Sequence, residues 1–129
     1  MNKNYTYCLI ITILIGCGPG RNDFYVSLPG NYYLWRNNSI EVRVSPQGYD
    51  ETTPIIPPTI THAAWDKTWV YAKRNDPKTN LEDYWILNCI KPEVYGPLTH
   101  KQYSDKISEL SINDPILIDI YEYRKIAIK

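Results

Sequence analysis

The sequence predicts an α+β fold, an antiparallel β-meander of five to seven strands with one helix in the C-terminal half. Three observations carry that reading. Twelve Tyr and four Trp stand against a single Phe, and such residues suit half-buried sheet faces. Ten prolines argue against long helices and for turns and edge strands. Only the stretch beginning at Thr99 combines a cap with apolar residues at helical spacing. At 129 residues the chain has material for one domain.

From Phe24 to Arg36, Pro29-Gly30 is a turn signal, and Asn31-Tyr32-Tyr33-Leu34-Trp35-Arg36 is rich in strand formers. Asn37-Asn38 makes a turn because Asn tolerates positive φ. Ile40 to Val44 alternates apolar and charged residues, as a half-buried strand does. These two runs predict a hairpin. Residues 46–58 hold four prolines, Gly48 and two acids, and read as an irregular surface segment, a mobile linker or a contact loop.

Ile60 to Trp65 and Trp69 to Arg74 flank Asp66-Lys67-Thr68 and predict a second hairpin. Asn75 to Asp83 is a polar connection to a strand at Tyr84 to Ile90. Lys91-Pro92-Glu93 turns the chain into Val94-Tyr95, closed by Gly96-Pro97. Thr99 and Gln102 have capping-box spacing, and Tyr103, Ile107 and Leu110 fall on one helical stripe. Ile116 to Lys129 reads as strand or helix, with its last residues expected to fray.

Fourteen basic residues balance fourteen acidic ones, with no long block of either sign. Phosphate neutralisation supplies most nucleic-acid affinity, so the composition excludes a nucleic-acid binder. The N-terminus is different in kind. Lys3 precedes an uncharged, largely aliphatic run from Tyr5 to Gly16, the layout of a secretory signal. A spanning helix needs about 20 apolar residues, so this run is too short for one.

Leu14-Ile15-Gly16-Cys17 resembles the lipobox of bacterial lipoproteins. The resemblance implies a signal peptide at 1–16, cleavage between Gly16 and Cys17, and lipidation of the Cys17 sulfur. Residues 17–23 then form the lipidated cysteine and a flexible tether, and 24–129 a single β-rich domain. Two or three acyl chains give stable attachment to a membrane, and the six residues after Cys17 reach about 20 Å at most. The implied location is the bacterial cell envelope. With Cys8 removed and Cys17 lipidated, Cys89 is left alone and forms no intramolecular disulfide.

A second resemblance lies in the middle of the chain. Trp65-Asp66, Trp69-Val70-Tyr71-Ala72-Lys73-Arg74, Tyr84-Trp85-Ile86-Leu87-Asn88 and Val94-Tyr95-Gly96-Pro97-Leu98 before a helix are similar to an uncharacterised family of short bacterial lipoproteins. That family is a domain of unknown function and brings no assigned activity or site residues.

Catalytic and metal-binding patterns are not evident. His62 and His100 lie far apart, one on a strand and one at a helix start, without a cysteine pair or an acidic calcium loop. No cofactor or metal is expected. Asp50-Glu51 and Glu82-Asp83 are adjacent acids in polar loops, which lack the opposed geometry of a catalytic pair. Cys89 sits in an apolar run and reads as a small buried hydrophobe. The expected role is therefore a non-enzymatic, membrane-anchored protein-interaction module, with Tyr32, Trp35, Trp65, Trp69 and Tyr71 as its contact surface. The alternatives are glycan or small-ligand binding through stacked Trp and Tyr, and an enzyme built on His62 and Asp66.

Overall fold

The computed structural model describes residues 23–38 and 40–127. Eight strands among them form two antiparallel sheets. The smaller contains β1 (Phe24–Ser27), β2 (Tyr32–Arg36) and β3 (Val42–Pro46), in that order. The larger is built from β4 (Ile60–Trp65), β5 (Trp69–Asn75), β6 (Glu82–Asn88), β7 (Glu93–Leu98) and β8 (Ile118–Asp119), in the order β7-β6-β5-β4-β8. One helix, α1 (His100–Glu109), follows β7. The fold is α+β and mostly sheet, but its strands divide between two sheets instead of running as one meander.

The division falls at the proline-rich segment 46–58. Proline has no N–H to give to a ladder, so this segment cannot serve as a full fourth strand beside β3. It is nevertheless pinned, and does not behave as a free linker. Val44 and Ile56 exchange two backbone hydrogen bonds of 3.1 and 2.9 Å, Ile56 is fully buried, and the Tyr32 hydroxyl donates to the Pro54 carbonyl at 2.8 Å.

Alternation sorts the side chains into layers. Phe24, Val26, Tyr32, Leu34, Val42 and Val44 of the small sheet pack against Ile60, Ala63, Val70, Ala72, Trp85 and Leu87 of the large one. The opposite face of the large sheet presents Tyr71 and Ile86 to Tyr103 and Ile107 of α1. A sheet covered on both faces needs apolar residues at every position, which explains the unbroken run Tyr84–Leu87. The helix starts with the expected capping box. Gln102 N–H donates to the Thr99 hydroxyl at 3.2 Å, and Thr99 N–H donates to the Gln102 side chain at 2.9 Å.

Strand β7 differs from expectation and continues through Gly96-Pro97 to Leu98, opposite an irregularity between Tyr84 and Ile86. A Cβ at Gly96 would overlap the Trp85 ring, so the strand passes there because the residue has no side chain. The C-terminal segment, which the sequence left open between strand and helix, takes some of each over residues 118–125. It pairs with β4 as β8 and then forms a 3-10 turn, Ile120–Lys125. Ile120 and Tyr123 of that turn are buried, and the Tyr123 hydroxyl donates to the Ala63 carbonyl at 2.6 Å.

A polar node ties β5, β6 and the proline-rich segment together. Arg74 donates to both oxygens of Asp83, at 2.9 and 3.1 Å, and to the Pro58 carbonyl at 3.1 Å. Trp85 Nε1 also donates to Asp83, at 2.6 Å. The Arg74 and Asp83 side chains are each 11% exposed, so removing one leaves the other charged and nearly dry. We expect Asp83→Ala to lower unfolding free energy by about 3–5 kcal/mol. Glu82→Gln, which breaks the exposed Lys73–Glu82 pair next to it, should cost under about 1 kcal/mol. Urea titration of both variants checks the contrast.

Candidate functional site

The face of the small sheet turned away from the core is aromatic. With Phe24, Val26, Leu34, Val42 and Val44 turned inward, the period of two turns Tyr25, Tyr33, Trp35 and Arg43 outward. Register then places Tyr25 beside Trp35, and Trp35 beside Arg43, in one row across the three strands. The ring centroids of Tyr25 and Trp35 are 5.4 Å apart, those of Tyr33 and Trp35 5.1 Å, and those of Tyr25 and Tyr33 5.9 Å. A groove of about 220 Å³ runs between these rings and Gln47.

The platform is held from beneath and from one side. Trp35 Nε1 donates to the Ser45 carbonyl at 3.2 Å. Arg43 lies 5.8 Å from the Trp35 ring centroid and 5.4 Å from that of Tyr49. It is fixed there by the Ser45 hydroxyl and the Glu41 carboxylate, each at 3.2 Å. Such a cation–π pair adds about 0.5–1 kcal/mol at a partly exposed site. Rings placed this way lose little freedom when they meet a partner.

Of the five aromatic residues expected to form a contact surface, only Trp35 stands on this platform. Tyr32 adjoins Tyr33 in sequence but points the other way and is 2% exposed; Tyr71 is 1% exposed. Trp65 packs on Tyr123 with centroids 4.7 Å apart, and Trp69 belongs to the cluster under α1. Tyr32 and Tyr71 are thus buried, Trp65 and Trp69 are half-buried on the large sheet, and the aromatic face of the small sheet combines Trp35 with Tyr25 and Tyr33, beside Tyr49. The signal for it was the alternation about Leu34, which assigns Tyr33 and Trp35 to one side and Tyr32 to the other.

The groups considered for chemistry are engaged separately. Asp66 closes the β4–β5 turn. Burial raises its carboxyl, but hydrogen bonds from Thr68 N–H, Trp69 N–H and the Tyr71 hydroxyl outweigh this and hold it below the usual carboxylate range. His62 meets the Thr61 hydroxyl at 2.9 Å, and His100 stands edge-on to Tyr84. Asp50 is held low by the side chain and N–H of Thr52 and by Thr53, within its own turn. Among the described residues, no three His, Cys, Asp or Glu side chains gather as metal ligands. The lipobox and Cys17 lie outside the described residues.

Cys89 is buried, and burial, with a smaller contribution from Asp66, pushes its thiol from 9.0 up to about 11. A nucleophilic cysteine needs the reverse shift. Burial also raises the hydroxyls of Tyr71 and Tyr103 above their ordinary value. All three groups stay protonated in the folded state at a pH where the unfolded chain releases its protons. The Cys89 contribution is complete below about pH 9 and is lost as pH rises toward 11, while that of the two tyrosines begins to be lost only above about pH 10. The urea midpoint should therefore hold steady from pH 7 to 8.5 and fall above 9, with Cys89→Ala removing the earliest part of the fall.

The family described as a protein of unknown function, DUF3997, matches residues 29–121. That span runs from the turn before β2 through β8, and includes Tyr33, Trp35 and Tyr49 of the platform while leaving β1 outside. No curated protein and no solved structure matches the chain. The chain belongs to the DUF3997 family.

Proposed function

We propose that this protein is an exported bacterial lipoprotein, held to an envelope membrane by lipid on Cys17, whose domain binds another envelope protein. The contact face is the outer surface of the small sheet. The observation that carries this reading is the cluster of Tyr25, Tyr33 and Trp35, braced by Arg43, on a face that the core does not use. Tyr, Trp and Arg are the residue types that dominate the centres of protein interfaces.

Ring orientation favours a protein over a glycan. A sugar stacks on a flat aromatic face, whereas these rings are inclined to one another by 38°, 44° and 74°. Inclined rings form ridges and a groove, which suit the uneven surface of side chains. The role is non-catalytic. The protonated thiol of Cys89 and the separate engagement of His62 and Asp66 support that part of the reading.

In-cell crosslinking with mass spectrometry tests the proposal on three versions of the full chain. Wild type should give one dominant crosslinked envelope protein. Tyr25→Ser with Tyr33→Ser should keep the fold and membrane attachment but lower the crosslink about tenfold or more, since two interface aromatics each contribute roughly 1 kcal/mol or more. Cys17→Ala should leave the membrane fraction. A crosslink untouched by the double substitution contradicts the assigned face, and a wild-type chain that stays out of the membrane contradicts the anchor.

A further inference from the structure

We infer that the end of the sandwich where β1 begins faces the membrane, with Ile40 of the β2–β3 connection and Leu81 at the foot of the β5–β6 connection entering the lipid headgroup layer. The inference rests on the lipoprotein reading, because Cys17 supplies the tether.

The argument begins with what lies at that end. Phe24, the first residue of β1, pairs with Arg36, and Arg36 pairs with Val42. The chain between Arg36 and Val42 turns through Ile40. Arg36 and Val42 line a cavity of about 160 Å³ together with Ile60 and Tyr121, so β4 starts at the same end. Ile60 in turn pairs with Arg74, near the end of β5. The β5–β6 connection beyond Arg74 carries Leu81, whose carbonyl accepts from Asp76 N–H at 2.9 Å. The root of the tether, Ile40, Tyr121 and Leu81 therefore share one end of the molecule.

Ile40 and Leu81 are each 68% exposed, and Tyr121 is 47% exposed. Loops in water are ordinarily polar, and the neighbours here conform: Asn37, Asn38 and Glu41 beside Ile40, and Lys78, Thr79 and Asn80 beside Leu81. Exposed aliphatic side chains occur at the far end too, Ile90 and Ile116 among them, but only Ile40 and Leu81 lie at the end to which the tether is joined, where a headgroup layer would receive them. Tyr121 fits the same boundary, since its ring is apolar and its hydroxyl, 3.4 Å from Arg36, is polar. The six residues between Cys17 and Phe24 reach about 20 Å. The seven residues of β6 alone span roughly 23 Å. The tether thus holds the near end of the domain against the membrane and leaves the far end away from it.

Charge at this end is largely paired. Glu41 meets Arg43 at 3.2 Å, and Arg74 meets Asp83 at 2.9 Å and Asp76 at 3.9 Å.

The test uses the full lipidated protein, purified from membranes and placed in phosphatidylcholine vesicles containing nitroxide-labelled lipid. Single substitutions Ile40→Cys, Leu81→Cys and Ile90→Cys each carry an environment-sensitive fluorophore. Ile90 is 57% exposed and follows β6 at the opposite end of the sandwich, so hydrophobicity alone would treat the three sites alike. Cys89 is buried and takes no label. Labels at 40 and 81 should be quenched about twofold or more relative to the label at 90. Equal quenching, or stronger quenching at 90, overturns the orientation. Mass spectrometry of the Cys17 peptide from the same sample separates the two claims. An acylated Cys17 with level quenching overturns the orientation alone. An unmodified Cys17 overturns the lipoprotein reading and this inference with it.

Discussion

The architecture depends on how closely the two sheets approach at the turn between β1 and β2. Gly30 sits there with φ of 69°, and a Cβ on it would overlap the carbonyl oxygen of Cys89. Cys89 follows the last residue of β6 and is itself buried in the core between the sheets. Backbone thus meets backbone, and only a residue without a side chain permits both the left-handed conformation and the separation. Once this corner is seated, the inner residues of the small sheet reach Val70, Ala72 and Leu87. Strand alternation then leaves Tyr25, Tyr33 and Trp35 no position except the outer face.

Stability and display are handled by different parts of the molecule. The large sheet is covered by the small sheet on one side and by α1 on the other, so its central strands are apolar throughout. Its polar groups serve the frame: Asp66 closes a turn, and Asp83 holds Arg74 and Trp85. The small sheet is covered on one face only and carries on its other face the aromatic groups the core does not need.

Much of this architecture was legible in the sequence. The β4–β5 hairpin around Asp66-Lys67-Thr68, the Thr99 capping box and the Tyr103–Ile107 stripe all appear where local patterns place them, because turn chemistry and periodicity act over a few residues. The split into two sheets was not legible, since it depends on which strands meet across the core and not on any local signal. The Ile116 to Lys129 segment was ambiguous for the same reason. Its isoleucines fit either period, and the decision comes from Tyr123 finding the Ala63 carbonyl 60 residues away. The outer aromatic face was half legible. Aromatic content identified the residue types, but choosing Tyr33 over Tyr32 required knowing which side of β2 the core occupies.

The most direct measurement of this account compares Gly30→Ala with Gly48→Ala in urea unfolding. Gly48 has no atom within 4 Å of the position its Cβ would take, so Gly48→Ala should change stability by no more than about 0.5 kcal/mol. Gly30→Ala places a side chain at positive φ against buried backbone and should cost about 2–4 kcal/mol. A Gly30→Ala protein as stable as the wild type would contradict the close seating of the two sheets, and with it the reason the aromatic face points outward.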